Sequence, residues 1–290
     1  MVTYFVDSDM DMTPELCEKY GYKMISMPYS IGEKTIYPYK DFDVFDAHGF
    51  YQALRDGAEI PSTAAISKEQ YISYFEPEFA AGNDVFYAHF SAAMTNTFDF
   101  MKQALDELLP KYPERKFYEV DTKAITTLCT LFAIELAEER DKGKTPEELV
   151  EWGKDLADHL AMYFVVDDLK FFRRSGRVTG LSATMGTLLG IRPLIYMNEE
   201  GKMVSCGTAK GRAKALAQLL QFTKELGDHL KDHLVLIGNT DAPELVEEVI
   251  RMLKEEYGEG LNYMVLPANP TAGSHCGPDG VSISFHAIHR

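Results

Sequence analysis

Short β-branched or aromatic runs, most ending in a polar residue, alternate with capped helical patterns along almost the whole chain. VTYFVD (2–7), DVFYAHF (84–90) and KFYEVD (116–121) read as strands. In the second half MYFVVDD (162–168), RPLIYM (192–197), HLVLIGNT (233–240), NYMVLPAN (262–269) and VSISFHAI (281–288) read the same way. The helices between them have legible starts. Thr13-Pro14-Glu15 pairs an N-cap with proline at the first helical position. Ser67 with Gln70, Thr145 with Glu148 and Asp241 with Glu244 have the spacing of capping boxes. Strands separated by helices predict parallel sheets covered on their faces, which is the α/β class.

Residues 124–161 read as two consecutive helices joined by the polar turn Asp141-Lys142-Gly143-Lys144, after which strand signals resume. A boundary near residue 160 divides 290 residues into two α/β domains, 1–160 and 161–290, with largely parallel sheets. A cleft between two such domains is a frequent place for a ligand.

Charge narrows the partners. Twenty-nine Lys and Arg against 45 Asp and Glu give a formal net charge of −16. A chain this acidic is a poor general binder of nucleic acids or anionic membranes, both of which are polyanions. No stretch of 18 consecutive apolar residues marks a transmembrane segment, and the start MVTYFVDSDMD is not a signal peptide. Cys17, Cys129, Cys206 and Cys276 are widely spaced and form no CxxC, so they read as reduced thiols of a cytoplasmic protein.

Several catalytic motifs fail on inspection. Gly143-Lys144-Thr145 resembles the end of a P-loop, but Glu138 stands where the first glycine is required. His229 and His233 have zinc-helix spacing, but Leu230 occupies the catalytic Glu position and the pair straddles a helix end, so no metal is assigned. GxSxG and GxGxxG are absent.

Other polar segments sit where strands end, the expected place for ligand contacts in an open α/β sheet. Asp7-Ser8-Asp9-Met10-Asp11 reads as a metal or phosphate loop or, more simply, as an acidic turn that caps itself. Pro61-Ser62-Thr63-Ala64-Ala65 offers hydroxyls to an anion. Ser91 to Thr97 leads into a helix starting near Thr95, whose free backbone N–H groups favour a carboxylate or phosphate. Gly273-Ser274-His275-Cys276-Gly277-Pro278-Asp279-Gly280 reads as a glycine-dense loop carrying a histidine donor. Val166 to Arg177 concentrates cations, read either as internal ion pairs with Asp167 and Asp168 or as a docking surface.

In this order the segments resemble those of the bacterial DegV family of fatty-acid-binding proteins, over nearly the whole chain. Asp7-Ser8 is similar to the family's TDS, Pro61 to Ser67 to its TSQPS segment, and Ser91 to Thr97 to SSGLSGT. Asp121-Thr122 is similar to a later Asp-Ser, Val166 to Arg177 to VDDLKYLKRGGR, Gly190 to Leu194 to the stretch around NIKPIL, and His275 to Gly280 to the HxGPG loop. Ala64, Ala92 and Thr95-Asn96 depart from the pattern. The resemblance implies two α/β domains enclosing one long-chain fatty acid, with no other cofactor. Thr63 and Thr95 would hold its carboxylate, supported by Ser62, Ser91 and His275. It further implies a carrier rather than an enzyme, presenting the acid to an ATP-dependent fatty acid kinase subunit that makes an acyl phosphate. Arg173 and Arg174 are the expected docking residues.

The energetics agree. Burying a methylene contributes about 0.8 kcal/mol, so a chain of about sixteen carbons offers on the order of 12 kcal/mol before costs. The head group then needs only a few neutral donors, and the motifs place no arginine clamp beside them. The competing class is an esterase or acyl-transfer enzyme using Ser91 or Thr95 as nucleophile and His275 as base.

Overall fold

The computed structural model describes residues 1–180 and 190–290. β1 (Val2–Asp7) leads through a short turn into α1 (Pro14–Tyr20), and β2 (Tyr22–Ile25) returns beside it. A small flap follows: β3 (Tyr29–Ile31), β4 (Lys34–Ile36), α2 (Ala47–Arg55) and the two-residue β5 (Ser62–Thr63). α3 (Lys68–Ala80), β6 (Asp84–His89), α4 (Thr97–Lys111) and β7 (Phe117–Asp121) complete the first half. Two helices, α5 (Thr126–Asp141) and α6 (Pro146–Asp158), lead into β8 (Leu160–Val165). Then come α7 (Lys170–Ser175), β9 (Val178–Thr179), β10 (Ile191–Met197), β11 (Met203–Lys210) and α8 (Arg212–Leu226). The chain ends with β12 (Val235–Asn239), α9 (Pro243–Tyr257), β13 (Tyr263–Pro267), α10 (Pro270–Cys276) and β14 (Val281–His286).

The first large sheet runs β2-β1-β6-β7 and is parallel throughout, as the alternation predicts. The second runs β13-β12-β14-β8-β10-β11-β9 and corrects the expectation of largely parallel sheets. Here β14 is antiparallel to both β12 and β8, and β10 is antiparallel to both β8 and β11. Connection length is the reason for one of these pairs. Only Asn198 to Lys202 separate β10 from β11, and a connection that short joins antiparallel strands, whereas a parallel crossover needs a dozen or more residues. The turn closes with Asn198 N–H donating to Lys202 O at 2.9 Å, and Gly201 takes φ +75°, a conformation natural to glycine.

Helix starts with an expected capping residue follow the sequence at all but one position. Thr13 accepts from the Leu16 N–H, and reciprocal capping boxes form at Ser67/Gln70 and Thr145/Glu148. Asp241 does not cap α9. It sits at φ +59°, and its carboxylate is taken by Arg55 of α2. The same guanidinium reaches Asp279 at 3.0 Å, while Tyr51 OH donates to Ala268 O at 2.9 Å. These bonds fasten the flap to loops of the second half.

α5 lies between the two large sheets. A helix that is apolar all round must be buried, and every residue from Thr126 to Ala137 except Glu135 is buried. It packs against β8, β12 and β14 on one side and the turn after β1 on the other. Its polar groups are satisfied across those contacts: Thr130 Oγ1 donates to Met10 O at 2.6 Å, and Thr127 Oγ1 meets Ser284 Oγ at 3.0 Å. Among the described residues no helix is long and apolar enough to cross a membrane.

Candidate lipid-binding site

The acidic turn after β1 is built inward. Asp7 accepts from Asp9 N–H and, through its other oxygen, from Phe90 N–H at 3.1 Å and Tyr87 OH at 3.0 Å. It thereby ties the end of β1 to the end of β6. Ser8 Oγ accepts from Met27 N–H, and Asp11 Oδ1 accepts from both the backbone and side-chain nitrogens of Asn269 at 2.8 Å. Burial pushes Asp7 up to about 6, Asp11 up to about 7 and Asp9 well above the usual carboxylate range. The segment is a staple between loops, and only the Asp7–Asp9 bond is the local turn cap that the sequence suggests.

Above that staple, at the carboxyl ends of β6 and β12, lies a cavity with about 1130 Å³ of free space including its mouth. Met27, Phe90, Met162, Phe164, Phe172 and Met203 supply much of its apolar wall, drawn from the segments just after β2 and β6, from β8 and β11 of the second sheet and from α7.

Polar groups interrupt that wall at its loops. Thr63, placed by the pairing of β5 with Tyr29 in β3, has its Oγ1 3.0 Å from His275 Nε2. His275 is therefore brought to Thr63 from 212 residues away. The expected glycine-dense loop around His275 is instead the last turn of α10. Pro270 begins that helix and Asn269 caps it, its Oδ1 accepting from Ala272 N–H at 2.9 Å. Two glycines serve packing: a Cβ on Gly273 would sit 2.7 Å from Tyr51 OH, and one on Gly277, at φ +72°, would sit 2.2 Å from the Phe171 ring.

Thr95 also lines the cavity, with its Oγ1 accepting from Thr97 N–H at 3.1 Å. α4 begins at Thr97, two residues beyond the expected start. Thr97, not singled out in the sequence, accepts from Ile66 N–H at 3.2 Å and so joins the two hydroxyl loops. Ser62 and Ser91 are not brought to this group. Ser62 is exposed on β5, where residues alternate sides and Thr63 takes the inner one. Ser91 is fully buried, donating to Gly201 O at 2.7 Å across to the β10–β11 turn.

Arginine enters where the motifs predict none. Arg177 lines the cavity and donates from Nε to Met94 O at 3.0 Å. Arg174 donates to the carbonyls of Ile60 at 2.7 Å and Pro61 at 3.1 Å, bracing the segment that presents Thr63. Arg173 is exposed on α7. Asp167 pairs with Arg192 and Asp168 with Lys170, so the ion-pair reading of this segment holds for its acidic members. Burial first, then Arg177 and Arg174, push the His275 imidazole down to about 4, so it is neutral at pH 7.

The Ser91–His275 and Thr95–His275 pairs of the enzyme reading are not assembled. His275 Nε2 faces Thr63, and among the described residues its buried Nδ1 has no hydrogen-bond partner, so none of them supplies the carboxylate that orients the ring of a base. Cys276 also lines the cavity, but burial pushes its thiol up to about 12, away from the reactive thiolate.

Residues 2–287 match the model of the DegV family of uncharacterised proteins. The chain belongs to the DegV family. A DegV domain-containing protein of Clostridium perfringens strain 13 is 30% identical over 236 residues, covering 81% of this chain and 80% of its own. Among solved structures, a DegV family protein from Ruminococcus gnavus with vaccenic acid has a TM-score of 0.84 at 20% identity, covering 98% of this chain and 99% of its own. The fatty acid kinase B3 protein of Streptococcus pneumoniae, loaded with linoleic acid, has a TM-score of 0.81 at 16% identity and covers 99% of each chain. The DegV fold thus extends over both sheets of this protein.

Proposed function

We propose that the cavity holds one long-chain fatty acid and that the protein presents it to an ATP-dependent kinase subunit, which forms the acyl phosphate. The observation that carries the reading is the cavity itself, a chamber with a largely apolar wall and the Thr63–His275 pair, Thr95 and Arg177 among its polar groups. The fatty acids carried by the Ruminococcus and Streptococcus proteins support it, as does the kinase association in the latter's name.

The neutral imidazole gives the head group its direction. With Nε2–H donating to Thr63 Oγ1, the Thr63 O–H is left to donate to a carboxylate oxygen, and the chained bonds polarise one another. Thr95 supplies a second hydroxyl, and Arg177 adds positive potential beside the carboxylate without surrendering its bond to Met94. The phosphoryl chemistry then belongs to the partner. Arg173, exposed on α7 close in sequence to the bracing Arg174, is the docking residue to test.

Native mass spectrometry of protein purified without added lipid, followed by organic extraction, tests the reading. The expected result is an adduct of one fatty-acid mass. A clean mass that stays clean after incubation with C14–C18 acids would overturn it. For the partner, Arg173→Glu is expected to keep lipid uptake and to lower acyl-phosphate formation with the cognate kinase; equal activity removes the docking assignment.

A further inference from the structure

Away from the lipid cavity, three donor side chains converge. Glu135 lies nine residues beyond Thr126 on α5, about 13 Å along the helix from the cavity wall at a rise of 1.5 Å per residue. There its Oε1 meets His286 Nε2, at the end of β14, at 2.6 Å. His233, from the loop before β12, stacks on His286 with ring centroids 3.7 Å apart and planes 18° apart. One donor atom from each of the three lies within 4.8 Å of the others, and all three side chains are half-buried.

The geometry points to a divalent transition-metal site formed by Glu135, His233 and His286. A Glu–His ion pair accounts for two of these groups but leaves His233 without a role, since its ring makes no hydrogen bond among the described residues. Two imidazoles in face-to-face contact cannot both carry charge at low cost, and a shared cation between their nitrogens removes that conflict. Glu135, Asp228 and Asp232 surround His233 with negative charge that suits a cation.

Two imidazoles and one carboxylate form a zinc-type ligand set, with the open side of the cluster left for a water molecule. Around a tetrahedral ion with bonds of about 2.0–2.2 Å, the donor atoms stand about 3.3 Å apart, so side-chain shifts of roughly 1 Å suffice. Imidazole ligands favour Zn²⁺, Ni²⁺ and Cu²⁺ over Mg²⁺ and Ca²⁺. The ligands come from a helix, the end of β14 and the loop before β12, so a bound ion would cross-brace them and raise stability by mass action. The sequence rejects His229 with His233 as a metal pair. The fold gives His233 different companions, 98 residues before it and 53 after.

Calorimetric titration of Zn²⁺ into chelator-treated, dialysed protein tests the site, with thermal melts alongside and Mg²⁺ as control. One saturable equivalent of Zn²⁺ with a raised melting temperature is expected, and no response to Mg²⁺. His233→Ala is expected to weaken Zn²⁺ binding at least tenfold while fatty-acid uptake is unchanged, and adding His286→Ala to abolish it. Absence of saturable binding, or equal affinity in His233→Ala, would overturn the site. So would thiolate charge-transfer bands with Co²⁺, which would place the ion on cysteines. If the double variant does not fold, His233→Ala decides alone.

Discussion

Lowering the pH from 7 to 4.5 sets the buried Thr63–His275 pair against the solvent. In the unfolded chain a histidine titrates near 6.5, whereas His275 is pushed down to about 4 in the folded protein. Below pH 6.5 the unfolded chain therefore binds a proton that the folded one refuses. The stability contribution is fully present above 6.5 and is lost progressively as pH falls toward 4. Linkage across that interval gives a loss of about 2–3 kcal/mol at pH 4.5. Asp7 and Asp11 work in the opposite sense, because carboxyls pushed up to about 6 and 7 make the folded chain the better proton binder as pH falls. The readout is therefore a difference between two proteins. Urea denaturation of lipid-free wild type and His275→Gln at both pH values isolates the histidine, since the aspartates are common to both. The wild type should lose about 2–3 kcal/mol more than the variant between pH 7 and 4.5, a midpoint change of roughly 1 M urea. Parallel pH dependence in the two would refute the claim that burial of His275 keeps it neutral.

Thr63→Val keeps the shape of the head-group loop and removes its hydroxyl, so affinity for hexadecanoate should fall about fivefold, the loss of one neutral hydrogen bond of about 1 kcal/mol; unchanged affinity in an equilibrium uptake assay would remove Thr63 from the head group. Gly277→Ala places a methyl group against the Phe171 ring at a positive φ, and chemical denaturation should show about 3 kcal/mol of lost stability. Arg174→Ala releases the carbonyls of Ile60 and Pro61, so limited proteolysis should cut between residues 56 and 66 faster than in wild type, and an equal rate would show that the brace is not needed.

Local signals were legible and long-range ones were not. Ser67 and Thr145 announce their helices because a capping box is closed within four residues. Asp241 misleads because its carboxylate is claimed by Arg55, a partner 186 residues away that no local pattern reveals. The parallel first sheet follows from strand–helix alternation, while of the antiparallel pairs of the second only β10–β11 has a local sign, the short Asn198–Lys202 connection, and β8–β10, β8–β14 and β12–β14 join strands far apart in sequence. In the site, Thr63, Thr95 and His275 were legible from hydroxyl and histidine motifs at strand ends. Ser62 and Ser91 were not separable from them, because which hydroxyl faces inward depends on the pairing of β5 and on the β10–β11 turn that captures Ser91. Arg177 was visible only as one cation in a cluster.

The burial of α5 between the two sheets bears on how the molecule comes apart. One continuous apolar cluster contains Phe5 and Val85 of the first sheet, Leu128 and Phe132 of the helix, and Met162, Ile195 and Leu236 of the second sheet. The strand topology changes near residue 160, but the packing does not stop there. Neither half can leave without stripping a face of the same helix, so heat or denaturant meets a single cooperative unit, and damage at either end is felt by the whole.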